Sequence, residues 1–406
     1  MDIKNETGGV CAAAGFKAGA VHCGFRHDVS KNDLAMIVSD RLCSAAAVYT
    51  TNKIKGAPIA VTREHLKSGT ARAIICNSGN ANTCAPNGIW IASETCRLAA
   101  SAVGCSKSDI VVASTGVIGM EMTMAPFVQG IPELAKSLSY DGGSAAEEAI
   151  MTTDTHKKEV AVSFLLGGRK CTLGGMAKGS GMIHPNMATM LSFLTTDVDI
   201  SPEMLQRALS TDIVDTYNQL SVDGDTSTND MVVILANGMA GNKKITSDGE
   251  DFQTFCQALD KVTTALVEKI AADGEGASKL IVCNVKNAVT RDAARKISMS
   301  VISSDLLKAA VFGKDANWGR VLCAIGYADG NFDVSNVAIE LSSEKGRIRV
   351  CQSSEYVPYS EDEATEILSG GKVDINVDMH SGKAQARAWG CDLTYEYVKI
   401  NSDYRS

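Results

Sequence analysis

Phe252, Phe255, Leu259, Val262, Leu266 and Ile270 recur every three or four positions, so the pattern predicts a helix there with one face in the core. Ala-rich residues 89–103 predict a second helix, which Gly104 stops. Residues 144–151 predict a short helix, with Glu147 and Glu148 in its first turns where the macrodipole favours negative charge. A further helix starts at Ser201, with Pro202 in its first turn. Largely apolar runs at 71–76, 110–113, 160–166 and 231–235 read as buried strands, and residues 34–38 and 45–49 read as a pair of them. Toward the end, 337–341, 373–377, 383–388 and 393–400 alternate apolar and polar residues as half-exposed antiparallel strands do. The length of 406 residues suggests two domains or one large α/β unit, and neither a repeat nor a flexible linker marks a domain boundary.

One stretch breaks the pattern. Gly174, Gly175, Gly179 and Gly181 fall within eight residues and Pro185 follows, which predicts a loop rather than a helix or a long strand. The strand at 170–174 runs into it, and an apolar run from Met190 leaves it. Thr189 stands at that junction with the small Ala188 before it.

Composition narrows the function. The 406 residues are 45% hydrophobic, enough for a substantial core, and carry a formal charge of -8, the wrong sign for nucleic acid or an anionic membrane. A small-molecule ligand fits better. No apolar run approaches the ~18 residues of a membrane helix and the first residues do not resemble a signal peptide, so a cytoplasmic protein is expected. Thirteen cysteines without a C-x-x-C pair are expected to be free thiols.

Conventional catalytic and metal motifs are missing. The six histidines have no metal spacing, and neither G-x-S-x-G nor H-E-x-x-H occurs. Gly313-Lys314 has no phosphate-loop spacing. The polar run from Ser221 to Asp230 lacks the closing Glu of a calcium loop, although its place beside a strand end makes it a candidate active-site wall. Two other polar turns follow strands. Residues 77–83 are rich in side-chain amides, which suit Asx turns. Residues 114–119 are either a tight Gly turn or backbone N–H groups aimed into a cleft as an oxyanion hole. Glu275, between Gly274 and Gly276, is either a solvated charge or a carboxylate pointed into a cleft.

Thr189 is a nucleophile only if a base takes its proton. His184 is one candidate, against a structural role for a His-Pro turn. The other is the residue's own α-amino group, whose ordinary pKa of about 7.7–8 suits base catalysis but which exists only if the Ala188–Thr189 bond is cut. Attack of Thr189 Oγ on the Ala188 carbonyl, followed by hydrolysis of the ester, achieves that cut.

The run from Lys178 to Leu191 resembles the self-processing site of the ornithine acetyltransferase family of arginine biosynthesis. Residues 77–82, 114–119, 151–155, 221–230, 273–276 and 317–320 resemble that family's other blocks in the same order. The resemblance implies a layered helix and sheet sandwich, cut between Ala188 and Thr189 into an α chain (1–188) and a β chain (189–406) that stay intertwined and pair again as α2β2. Thr189 is then the N-terminal nucleophile. Acetyl moves from N2-acetylornithine to Thr189 and from there to glutamate in ping-pong order, with no metal or cofactor. Thr115 and Gly116 match the family's oxyanion-stabilising pair. Thr152, Lys178, Thr189, Glu275, Asn401 and Ser406 match its substrate-binding positions, with Lys178 suited to a carboxylate and Glu275 to an ammonium group. Ser180 and Ser406 stand where Ala and Thr are usual. Two other enzymatic readings remain: acetyl-CoA as a further acetyl donor, and a self-activating amidohydrolase or aminopeptidase. A non-enzymatic binding protein is the third.

Overall fold

A computed structural model describes residues 2–184 and 190–403. The first half of the chain forms strands β1 (Lys4–Glu6), β2 (Phe16–Val21), β3 (Leu34–Tyr49), β4 (Thr70–Asn77), β5 (Ile110–Ser114), β6 (Glu159–Leu166) and β7 (Arg169–Lys178). Its helices are α1 (Ala57–His65), α2 (Gly88–Val103), α3 (Ala125–Ser137) and α4 (Gly143–Ile150). The second half adds β8 (Leu191–Thr196), β9 (Leu220–Ser221), β10 (Met231–Ala236), β11 (Leu280–Ala288), β12 (Ala338–Ser343), β13 (Gly346–Gln352), β14 (Glu355–Tyr356), β15 (Lys372–Asp378) and β16 (Ala384–Cys391). It also adds α5 (Pro202–Asp212), α6 (Glu250–Ala272), α7 (Arg291–Ile302), α8 (Asp305–Phe312), α9 (Trp318–Gly326), α10 (Glu361–Leu368) and α11 (Tyr395–Asp403).

Among the described residues two sheets form. The first runs β1-β6-β7-β8-β10-β3-β4-β5 with β2 also on β3, and the second runs β14-β13-β12-β15-β11-β16-β9. Helix α6 lies between them, against β6 and β7 on one side and β11 and β16 on the other. Phe255, Leu259, Val262, Leu266 and Ile270 are wholly buried there, each worth roughly 1.5–3 kcal/mol relative to exposure. This is the layered α/β sandwich expected. Strands from both sides of residue 188 share the first sheet, because β8 and β10 sit between β7 and β3. The two halves are interleaved layers of one body.

Four expectations need correction. Residues 34–38 and 45–49 are not paired strands but parts of β3. Its exposed middle, Asp40 to Leu42, lies in a register shift on β4 between Val38 and Cys43, so the polar gap is a bulge and not a turn. Gly174 and Gly175 lie inside β7, not in a loop. A Cβ on Gly174 would sit 1.9 Å from the Gly9 carbonyl oxygen, and one on Gly175 would sit 2.4 Å from Leu194 Cδ2, so both are small for close packing rather than for turning. Residues 393–400 are not a strand, since α11 begins at Tyr395. Glu147 is fully buried and accepts the Lys158 N–H; burial, only partly offset by that bond, pushes its carboxyl up to about 8. The thirteen cysteines are free thiols, and Cys43, Cys76, Cys96 and Cys171 are packed as small apolar side chains. No helix among the described residues is long and apolar enough to cross a membrane.

Candidate active site

The parallel strands β4 and β5 end side by side, Asn77 opposite Ser114, and the two polar turns beyond them are stitched together. Thr115 N–H donates to Asn77 O (3.0 Å), Ala81 N–H to Val117 O (2.8 Å) and Gly119 N–H to Thr83 O (2.9 Å). Gly116 has φ +129°, and a Cβ there would sit 2.4 Å from the Gly79 carbonyl carbon, so both backbone angle and close approach demand glycine. The Thr115 amide is thus committed to the backbone. No hydrogen bond of the Gly116 N–H occurs among the described residues. The amide-rich turn does more than form Asx turns. Asn77 holds Asn80 O and the Ser114 hydroxyl, while Asn229 reaches across to donate to Ala81 O (2.6 Å) and Ser114 O (2.9 Å).

Lys178 closes β7 at 5% exposure and puts Nζ 3.3 Å from Thr115 Oγ1. Burial lowers its pKa, while the carboxylate of Asp154 acts in the opposite sense. Asp154 is a hub. Its Oδ2 accepts the Thr152 N–H (2.9 Å), and its Oδ1 accepts the Gly179 N–H (2.6 Å) and the Lys158 ammonium (2.7 Å). Lys158, wholly buried, also donates to Asp273 Oδ2 (2.6 Å). Asp273 accepts from Thr155, its carbonyl takes the Ser180 hydroxyl (2.6 Å), and Ser180 O takes the Glu275 N–H (2.9 Å). Finally Asn401 donates to Glu275 Oε2 (2.8 Å), and a Cβ on Gly181 would sit 2.3 Å from the Glu275 carboxyl carbon. Joined through the backbone from Lys178 to Gly181, these contacts gather Thr115, Thr152, Lys178, Glu275 and Asn401.

The loop 221–230 holds the other flank. Asp223 accepts the Met182 N–H (2.6 Å) and the Ile183 N–H (2.8 Å), Val222 N–H donates to Ile183 O (2.7 Å), and Thr226 donates to His184 O (3.2 Å). Its acidic residues face amides, and among the described residues no group of three His, Cys, Asp or Glu side chains has a metal-holding arrangement. His184 is half-buried with Nδ1 3.0 Å from Ser221 Oγ, and burial lowers its pKa, which favours a neutral ring. Ala188, Thr189 and Ser406 lie outside the described residues. The chain resumes at Met190, 4% exposed, whose carbonyl accepts the Met231 N–H (3.1 Å).

The family model for the ArgJ family matches residues 17–406. The chain belongs to the ArgJ family. The arginine biosynthesis bifunctional protein of Caldanaerobacter subterraneus subsp. tengcongensis is 47% identical over 97% of this chain and 97% of its own. That of Symbiobacterium thermophilum is 47% identical over 98% of this chain and 99% of its own. The crystal structure of the Bacillus halodurans protein is 44% identical with a TM-score of 0.51, covering 53% of this chain and 100% of that one.

One residue of this network, Lys158, escaped the sequence reading, and Asp230 was read only as the end of a candidate active-site wall. Lys158 stands four positions after Asp154 and beside the exposed Lys157, a spacing that reads as an ordinary surface pair. Nothing local signals that its second partner, Asp273, is 115 positions away. Asp230 closes a run read as a polar loop, yet it is 2% exposed and lines a small cavity with Thr115, Lys178, Met190, Ser227 and Asn229.

Proposed function

We propose that this chain cuts itself between Ala188 and Thr189, and that Thr189 then carries acetyl from N2-acetylornithine to glutamate. Membership of the ArgJ family makes the chain an acetyltransferase of arginine biosynthesis. The observation that carries the mechanism is the approach of Lys178 Nζ to Thr115 Oγ1 at 3.3 Å, in a cavity that Met190 also lines. Met190 is the residue that follows Thr189 in the sequence, which supports this reading.

In this reading the Gly116 N–H and the Thr115 hydroxyl stabilise the tetrahedral oxyanion, each worth ~3 kcal/mol of barrier. Lys178 meets a substrate carboxylate and Glu275, held by Asn401, meets an ammonium group. Thr152 and Ser406 complete the substrate site, and two processed copies pair as α2β2. No metal or cofactor enters the cycle.

Hydrolase and transferase readings separate by the acceptor: repeated turnover of N2-acetylornithine, beyond one acetyl per site, should need glutamate, and equal steady-state rates without it would favour the amidohydrolase. Release of CoA from acetyl-CoA and glutamate alone identifies the second acetyl donor, and the shared bifunctional name of the two relatives favours that release.

The Asp223 carboxylate fixes the chain just before the cut. Asp223→Ala leaves two amides without their acceptor, at about 1–3 kcal/mol each where water is excluded. Uncut chain should therefore persist in this variant on denaturing gels, and processing as fast as wild type would contradict the role.

A further inference from the structure

Lys308 lies in α8 at 2% exposure, and its ammonium donates to the Val222 carbonyl. Lysine is almost never buried without an ion pair, yet Lys308 forms none among the described residues. Two carboxylates share its surroundings, because Asp392 and Asp223 act together with Lys308 on the buried Cys391 thiol. Both are engaged elsewhere. Asp392 accepts the Ser278 N–H (2.8 Å) and the Lys279 N–H (3.0 Å), and Asp223 accepts the Met182 and Ile183 amides. What the ammonium holds is therefore a backbone carbonyl, at the start of the wall 221–230.

Val222 faces both flanks of the site. Its N–H donates to Ile183 O (2.7 Å), and its side chain lies against Gly274, where an added Cβ would sit 3.3 Å from Val222 Cγ1. Gly274 joins Asp273 to Glu275. One bond from α8 thus fixes the residue that stands between the 182–184 run and the 273–275 turn. The charge reaches further than the bond. Burial lowers the pKa of His184, the Asp225 carboxylate from the wall opposes this, and the Lys308 ammonium from α8 adds to it. A neutral ring can accept at Nδ1 from the Ser221 hydroxyl at 3.0 Å, whereas an imidazolium can only donate. We infer that Lys308 is a positioning residue for acetyl transfer, its buried ammonium holding Val222 and with it the wall against Ile183 and Gly274.

The inference rests on acetyl transfer at this site, so its test also reads a signal that needs no substrate. Lys308→Met should lower kcat/KM for N2-acetylornithine by at least about 10-fold, through misplacement of the wall. In the same variant His184 should titrate about half a pH unit higher, followed by NMR of labelled histidine, because a nearby cation is gone. Lys308→Arg keeps the charge and should leave that titration in place while recovering most of the rate. Lys308→Gln keeps a donor for the Val222 carbonyl without the charge, so it should move His184 as far and lose less rate, and it serves if Lys308→Met does not fold. Wild-type kcat/KM in a folded Lys308→Met or Lys308→Gln protein overturns the positioning role, and so does a His184 titration that stays in place in either. A wild-type protein that transfers no acetyl, with the His184 shifts as expected, overturns instead the function on which the inference stands.

Discussion

Thr189→Ala should purify as a single uncut 406-residue chain with acetyl transfer reduced by at least about 10⁴-fold. The same hydroxyl is asked to attack twice, first the Ala188 carbonyl and then the acetyl group, so one substitution abolishes both events. Thr189→Ser keeps the oxygen and the amine and loses a methyl, so it should be cut and active at a lower rate. The methyl restricts rotation about the side chain and helps aim the oxygen. Denaturing electrophoresis with an acetylornithine assay reads both outcomes together. A Thr189→Ala protein that is cut and active would remove the nucleophile from the account.

The second large effect is remote from the reacting bond. Lys158→Met takes away the ammonium that joins Asp154 to Asp273 at 2.7 and 2.6 Å. Asp273 then loses its ammonium partner and Asp154 is left with Lys178 alone, a loss of about 3–5 kcal/mol by precedent for broken buried ion pairs. Asp154 registers the coupling. Burial alone would raise its carboxyl, yet Lys178 and Lys158 outweigh this and hold it at about 2 instead of 3.8. Its contribution to stability is therefore complete above pH 3.8 and lost as the pH falls through about 2. Because the Asp154 carboxylate positions the Thr152 amide and the Gly179 amide, kcat/KM should fall by about 10²-fold even at temperatures where the variant stays folded. Wild-type kcat/KM in a folded Lys158→Met protein would contradict a positioning role for the network.

Legibility in the sequence followed burial. The α6 face was readable because Phe252 to Ile270 are all packed inward at the helical period. The Thr115-Gly116 turn was readable as a local conformation, and the close approach of Gly79 explains why only glycine serves. Residues 393–400 misled because α11 buries none of its side chains, with Tyr395 83% and Val398 65% exposed, so its alternation carried no information about a core. That helix is held at its start instead, by Thr394 donating to Gly276 O (2.6 Å). Gly174 and Gly175 misled for the opposite reason. Their smallness answers to Gly9 and Leu194, neighbours in space that no local rule supplies. Lys158 was hidden for the same cause, since a charged residue is read as solvated until its distant partners are known.

The most direct test is the mass of the wild-type protein denatured after brief mixing with N2-acetylornithine in the absence of glutamate. Two fragments of 188 and 406 - 188 = 218 residues are predicted, the larger bearing one acetyl group on its N-terminal residue and losing it when glutamate is added. A single uncut chain, or an acetyl group anywhere other than Thr189, would contradict the account.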